Sequence, residues 1–208
     1  MDRNCFRYDI LSELFNIGVG RAAKLLSEVV QKRISLQVPK IILPETETSG
    51  LDLPPQFSEL FDAALMVSTI SFTESLQGKA NLIFPADKIK KLVFLCSGDD
   101  SVSAEDTDFT DVDFDVMREI GNILLNCILG EFGNLTNIQL TYDLPQVKVY
   151  NRINFSKDID NGKDHSFMIL FVTFLIDGTE IEGAVIIDLM VESYHELFRL
   201  LDGMEAGL

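Results

Sequence analysis

One polar pattern, D-x3-E-x2-N-x22-P, occurs twice in this chain. Asp9, Glu13, Asn16 and Pro39 form it first, and Asp115, Glu119, Asn122 and Pro145 form it again, each 106 positions later. Four residue types at four matched spacings point to duplication, and duplication of a polar set points to two copies of one site. At i, i+4 and i+7 the two acids and the amide share one stripe of an α-helix. Ile10, Leu14 and Ile17 form the next stripe round, which is expected to face the core and leave the polar stripe accessible. Chemistry that needs only Glu and Asn on a helix face is phosphoryl transfer to water. With an acyl phosphate that brings its own metal, the catalyst need only place a water in line and orient the reacting groups. An amide donates and accepts hydrogen bonds, so it can hold that water. A carboxylate can grip a lysine of the partner. Neither group has to titrate, which fits the lack of histidine in either motif.

Plainer roles compete with that one. Asp9 and Asp115, near a helix N-terminus, would complement the helix dipole, and Glu is a good helix former. Asn16 and Asn122 are harder to explain this way, because Asn is a mediocre residue in a helix interior. Asn16 is followed by Ile17-Gly18 and Asn122 is preceded by Gly121. Glycine permits close backbone approach, by another helix of the same protein or by an external partner. His165 and His195 have no partner at ligand spacing, and His195, in the last helical pattern, reads as a surface residue. There is no Ser-His-Asp set, Cys-His set, P-loop or G-x-G-x-x-G, so no metal or nucleophile site is expected.

The bulk composition narrows the partners. The 208 residues carry a net charge of −16, which argues against nucleic acid and anionic membrane. Apolar residues make up 47%, enough for a sizeable core. Residues 1–104 hold 13 acids and 11 bases, whereas residues 105–208 hold 20 acids and 6 bases. Eight acids fall between Asp99 and Asp115 with no Lys or Arg, and they lack the spacing of a Ca²⁺ loop. That stretch reads as a solvated linker running into an acidic helix start. Cys5, Cys96 and Cys127 are odd in number and free of any CxxC, so buried thiols in a reducing compartment are expected. No signal peptide is visible, and the longest apolar run, Phe167 to Ile176, is too short to span a bilayer. The expectation is a soluble cytoplasmic protein.

The elements that must position the motifs also read twice. A long helix comes first, over about 9–31 and again over 112–134. Its apolar face is Ile10, Leu14, Ile17, Leu25 and Val29 in one copy and Val116, Ile120, Ile123, Cys127 and Ile128 in the other. An extended strand follows, Ile34–Leu43 and Ile138–Tyr150. A hairpin-like pair comes next, Ala63–Phe72 with Ala80–Phe84, and Phe167–Ile176 with Glu182–Ile187, the latter turned by Asp177-Gly178. Gly78 and Gly183 match in the closing strands, and short helices over about 86–97 and 190–202 stop at Gly98 and Gly203. The fold class predicted is α+β: a single domain of two pseudo-symmetric α-β-β-β-α halves, about 9–98 and 112–203, with an acidic linker at 99–111. About six mostly antiparallel strands are flanked by helices.

With Glu13-Leu-Phe-Asn-Ile-Gly-Val-Gly and Glu119-Ile-Gly-Asn-Ile-Leu around the motifs, the chain resembles the CheC/CheX/FliY group of chemotaxis phosphatases over nearly its whole length. Two motif copies in about 200 residues are similar to the CheC branch, whereas CheX-like members are shorter with one copy. FliY-like members add a flagellar-switch domain that is not seen before Leu208. The resemblance implies hydrolysis of the phosphoryl-aspartate on a CheY-type response regulator. It implies that Asn16 and Asn122 place the attacking water and that Glu13 and Glu119 contact the regulator's active-site lysine. Pro39 and Pro145 would end or bend a strand; Asp9 and Asp115 are the loosest part of the pattern. No cofactor of the chain's own is implied, Mg²⁺ belonging to the regulator, and CheD is a possible further partner. Where relatives often carry a second Asn the chain has Arg21, which should lie off the polar stripe. A non-catalytic adaptor for CheY or CheD, or a part of the flagellar switch, is the alternative reading.

Overall fold

The computed structural model describes residues 3–43, 64–97, 109–151, 154 and 165–205. Among them the element order is α1 (Arg3–Val30), β1 (Ile34–Ile42), β2 (Leu65–Glu74), β3 (Gly78–Pro85), α2 (Ala86–Ser97), α3 (Asp111–Thr136), β4 (Leu140–Tyr142), β5 (Gln146–Tyr150), β6 (His165–Ile176), β7 (Thr179–Met190) and α4 (Val191–Glu205). The fold is the α+β arrangement expected, with every strand pairing antiparallel. Seven strands replace the expected six, because the run Ile138–Tyr150 breaks at 143–145 into β4 and β5. Gly203 lies inside α4 and does not stop it. Gly98 and most of the acidic stretch 99–111 fall outside the described residues, which resume at Phe109.

The sheet order is β1-β6-β7-β3-β2-β4, with β5 also on β2. The two hairpins meet through β3 and β7, from Gly78 opposite Leu189 to Ile83 opposite Ala184. Asp177 (φ 49°) and Gly178 (φ 77°) make the two-residue turn of the β6–β7 hairpin, both in the left-handed region that this turn demands. Each edge strand pairs with the more distant hairpin in the sequence, β1 with β6 and β5 with β2. Both motif prolines sit where an edge ladder slips by one residue. Around Pro39 the register moves from Gln37 opposite Thr173 to Lys40 opposite Phe171. Around Pro145 it moves from Tyr142 opposite Phe72 to Gln146 opposite Thr69. A residue without an N–H is tolerated at such a bulge on an edge.

One core lies between the helices and one sheet face, built on Phe15, Leu26, Phe72, Phe84, Leu125 and Phe174 among others. A smaller cluster, including Val67, Ile83, Ile169 and Ile186, lies on the opposite face. The buried stripe of α1 is Leu11, Leu14, Phe15, Val19, Ala22 and Leu26. The expected stripe is corrected: Ile17, Leu25 and Val29 are 46%, 43% and 59% exposed. On α3, Ile120 and Ile128 are buried as expected, but Val116, Ile123 and Cys127 are half-buried and the deeper positions belong to Met117, Leu124, Leu125 and Leu129. The cause is that α1 and α3 each pack twice, on the sheet and on one another, so each has two apolar faces and the outer one reaches solvent. The expectation of buried thiols is corrected at Cys5, which is exposed; Cys96 and Cys127 are half-buried. Burial pushes the Cys96 thiol up to about 11, against a smaller opposing pull from Lys32. Among the described residues no helix is long and apolar enough to cross a membrane.

Candidate functional site

Both motifs lie on the antiparallel pair α1 and α3. The Phe15 and Phe132 rings meet edge to face at 5.5 Å, and Gly18 lies so close that a Cβ there would be 3.0 Å from the Ile128 Cα. Gly18 therefore serves the approach of a helix within the molecule, one of the two roles left open for it. Gly121 does the same against the sheet, where a Cβ would fall 2.6 Å from the Ser68 Cβ and closer still to its hydroxyl. These contacts seat both helices flat and turn their remaining face outward.

On that face the polar stripes stand open. Asp9, Glu13 and Asn16 are exposed on α1, and Asp115 and Glu119 are exposed on α3, while Asn122 is half-buried. Among the described residues the side chains of Glu13, Asn16 and Glu119 have no hydrogen-bond or ion-pair partner. Asp115 pairs with Arg118 one turn on. Asp9 lies 3.9 Å from the Cys5 thiol. It does not complement the helix dipole as expected, because α1 begins at Arg3 and Asp9 is past the first turn, where that effect acts.

Each motif also borders the other helix. Glu13 and Ile17 share a groove with Glu131, Asn134 and Leu135. Asn122 and Asn126 share a groove with Arg21, Lys24, Leu25 and Glu28. Arg21 is off the first polar stripe, as expected, but it reaches the second motif's groove and pairs with Glu131. Asn126 donates from Nδ2 to Asn122 Oδ1 at 2.8 Å. The i, i+4 spacing of Asn122 and Asn126 was legible in the sequence; the cross-helix neighbours were not.

The N-terminus of α3 is anchored from below. Asp113 Oδ2 accepts from Lys90 Nζ at 2.7 Å, from the Thr110 backbone N–H at 2.6 Å and from the Thr110 hydroxyl at 2.9 Å. Burial by itself would raise the Asp113 carboxyl, but the bonds from Lys90 and Thr110 outweigh it and hold the group below its ordinary value. Away from the helix pair, His165 Nδ1 lies 2.5 Å from Asp188 Oδ1, a partnership between β6 and β7 that sequence spacing could not show. Burial raises the Asp188 carboxyl and the imidazole only partly offsets it. His195 is exposed, as expected.

No protein-family model matches the chain. In sequence it is similar to the CheC of Bacillus subtilis, described as a CheY-P phosphatase, at 26% identity over 147 residues. That match takes in 68% of this chain and 65% of the relative, just under two thirds of its length. Among solved structures, Thermotoga maritima FliY superposes with a TM-score of 0.71 at 16% identity, covering 94% of this chain and 95% of that one. The middle domain of FliM from H. pylori gives 0.59 at 9%, covering 91% and 94%. A chain of the CheX-CheY-BeF3-Mg²⁺ complex of Borrelia burgdorferi gives 0.51 at 12%, covering 85% and 96%. At these identities the likeness shows the fold.

Proposed function

We propose that this chain, a member by sequence and fold of the CheC/CheX/FliY group, hydrolyses the phosphoryl-aspartate of a CheY-type response regulator at two sites. In this reading Asn16 and Asn122 place the water, and Glu13 and Glu119 hold the regulator's active-site lysine. The observation that carries it is a carboxylate and an amide one turn apart on the outward face of each of two packed helices, at matched positions and accessible from outside. Asp9 and Asp115 extend the same stripes. The regulator brings its own Mg²⁺.

Little else is needed. The water oxygen attacks phosphorus in line with the bond to the aspartyl oxygen. That bond breaks, its electron pair leaves on the aspartate carboxylate, and the water's two protons stay with the phosphate as dihydrogen phosphate. No base on this chain has to take a proton, in keeping with motifs that hold no histidine. What the amide supplies is position, and loss of position at a reacting centre costs roughly 10²-fold in rate. A lysine of the regulator, gripped by a carboxylate, fixes the docked geometry.

The test is phosphate release from the phosphorylated regulator. With Asn16→Ala and Asn122→Ala together, release is expected to fall roughly 10²-fold at unchanged circular dichroism; an unaltered rate would end the reading. With Glu13→Lys and Glu119→Lys together, binding of the regulator itself is expected to be lost by charge repulsion. The FliM middle domains share this fold, which favours a second reading: a docking module for the regulator, for CheD or for the flagellar switch. That reading is the one left standing if the regulator binds but phosphate is not released.

A further inference from the structure

We propose that Asn126 is a positioning residue for Asn122, so that the two sites are unequal and the second turns over faster. The proposal rests on Asn16 and Asn122 being the water-placing amides. Asn126 stands one turn beyond Asn122 on α3 and gives it a hydrogen bond, Nδ2 to Oδ1, at 2.8 Å. The oxygen of Asn122 keeps a lone pair free, and its NH2 keeps both donors. A primary amide turns freely about its last torsion, presenting oxygen or nitrogen to whatever arrives. The bond from Asn126 restricts that freedom, because the two amides can turn only together, and it holds the Asn122 side chain in place beside the groove.

The position of Asn126 is otherwise a poor choice for stability. Its own Oδ1 is buried and, among the described residues, has no hydrogen-bond partner. A buried carbonyl left unpaired is unfavourable, so packing alone does not explain an amide here. Turning the Asn126 amide over would set its oxygen against the oxygen of Asn122, unless Asn122 turned as well.

The first site has no such support. Four residues beyond Asn16 is Gly20, which offers no side chain. Asn16 is exposed and has no hydrogen-bond partner among the described residues. An amide already held in place loses less freedom when water and phosphoryl group arrive.

Single-site chains isolate the effect, Asn16→Ala leaving the second site and Asn122→Ala leaving the first. In the Asn16→Ala chain, Asn126→Leu keeps the size and adds no charge but loses the donor. It is expected to lower kcat for phosphate release roughly fivefold, the worth of one neutral hydrogen bond, with KM unchanged. In the Asn122→Ala chain, Gly20→Asn should raise kcat, because a Cβ at Gly20 meets nothing within 4 Å and a gain cannot come from misfolding. An unchanged or raised kcat in the Asn126→Leu chain overturns the proposal. So does a second site, read in the Asn16→Ala chain, that turns over no faster than the first, read in the Asn122→Ala chain. If the unmodified chain does not speed phosphate release at all, the phosphatase reading itself fails, and this inference goes with it.

Discussion

Gly121 shows how tightly single residues hold the candidate site. It is the residue before Asn122, and the Ser68 side chain on β2 occupies the space a Cβ would need. Gly121→Ala must push α3 off the sheet and carry Asn122 with it. Overpacking of this kind costs about 1–3 kcal/mol, which for a chain of this length lowers Tm by roughly 2–4 °C per kcal/mol. Ser68→Gly should restore most of the loss, since it vacates that space and removes a buried hydroxyl that has no partner among the described residues. A thermal melt of the single and double variants checks it; equal loss in both would show that the contact is not the cause.

At the scale of elements, α3 depends on the buried pair of Lys90 and Asp113, whose side chains are 6% and 1% exposed. The pair ties α2 to the first turn of α3, the helix that carries Glu119 and Asn122. Asp113→Asn keeps the shape but leaves the Lys90 charge unpaired, an expected loss of about 3–5 kcal/mol. The pH dependence follows from the direction of the shift. Asp113 is held below its ordinary 3.8 in the folded chain, so between that folded value and 3.8 the unfolded chain binds more protons. The stabilisation is whole above 3.8 and drains away as the pH falls through the folded value. Denaturant midpoints over pH 2–6 should therefore show the gap between wild type and Asp113→Asn closing only on the acid side. A gap that closed on the alkaline side instead would contradict the assignment.

At the scale of the whole molecule, the sheet is laced across the sequence midpoint. β1 pairs with β6, β5 pairs with β2, and β3 pairs with β7. A fragment of residues 1–104 would leave β1 without its neighbour and expose one side of β3; residues 105–208 would do the same to β5 and β7. Open strands beside a half-built core do not sustain a fold. Each fragment alone is expected to lack the cooperative melt of the full chain, and mixing the two should restore it. Circular dichroism against temperature decides this, and a cooperative melt from either fragment alone would show that its half is self-sufficient.

Much of this protein was legible along the chain. The polar stripes, the hairpins, the Asp177-Gly178 turn and the long helices all rest on local spacing and local backbone preference, which act within a few residues. The repeated prolines could be seen too, although not that each would stand at a one-residue slip of an edge strand. What local signals could not supply was the partner of each face. Ile17, Leu25 and Val29 looked like core because apolar periodicity marks a face without saying what covers it, and α1 has two such faces. The pairing of β1 with β6 and of β5 with β2, the approach of Arg21 and Lys24 to Asn122, and the Lys90–Asp113 anchor all join residues far apart in sequence. Those were settled only by how the helices and the sheet pack in three dimensions.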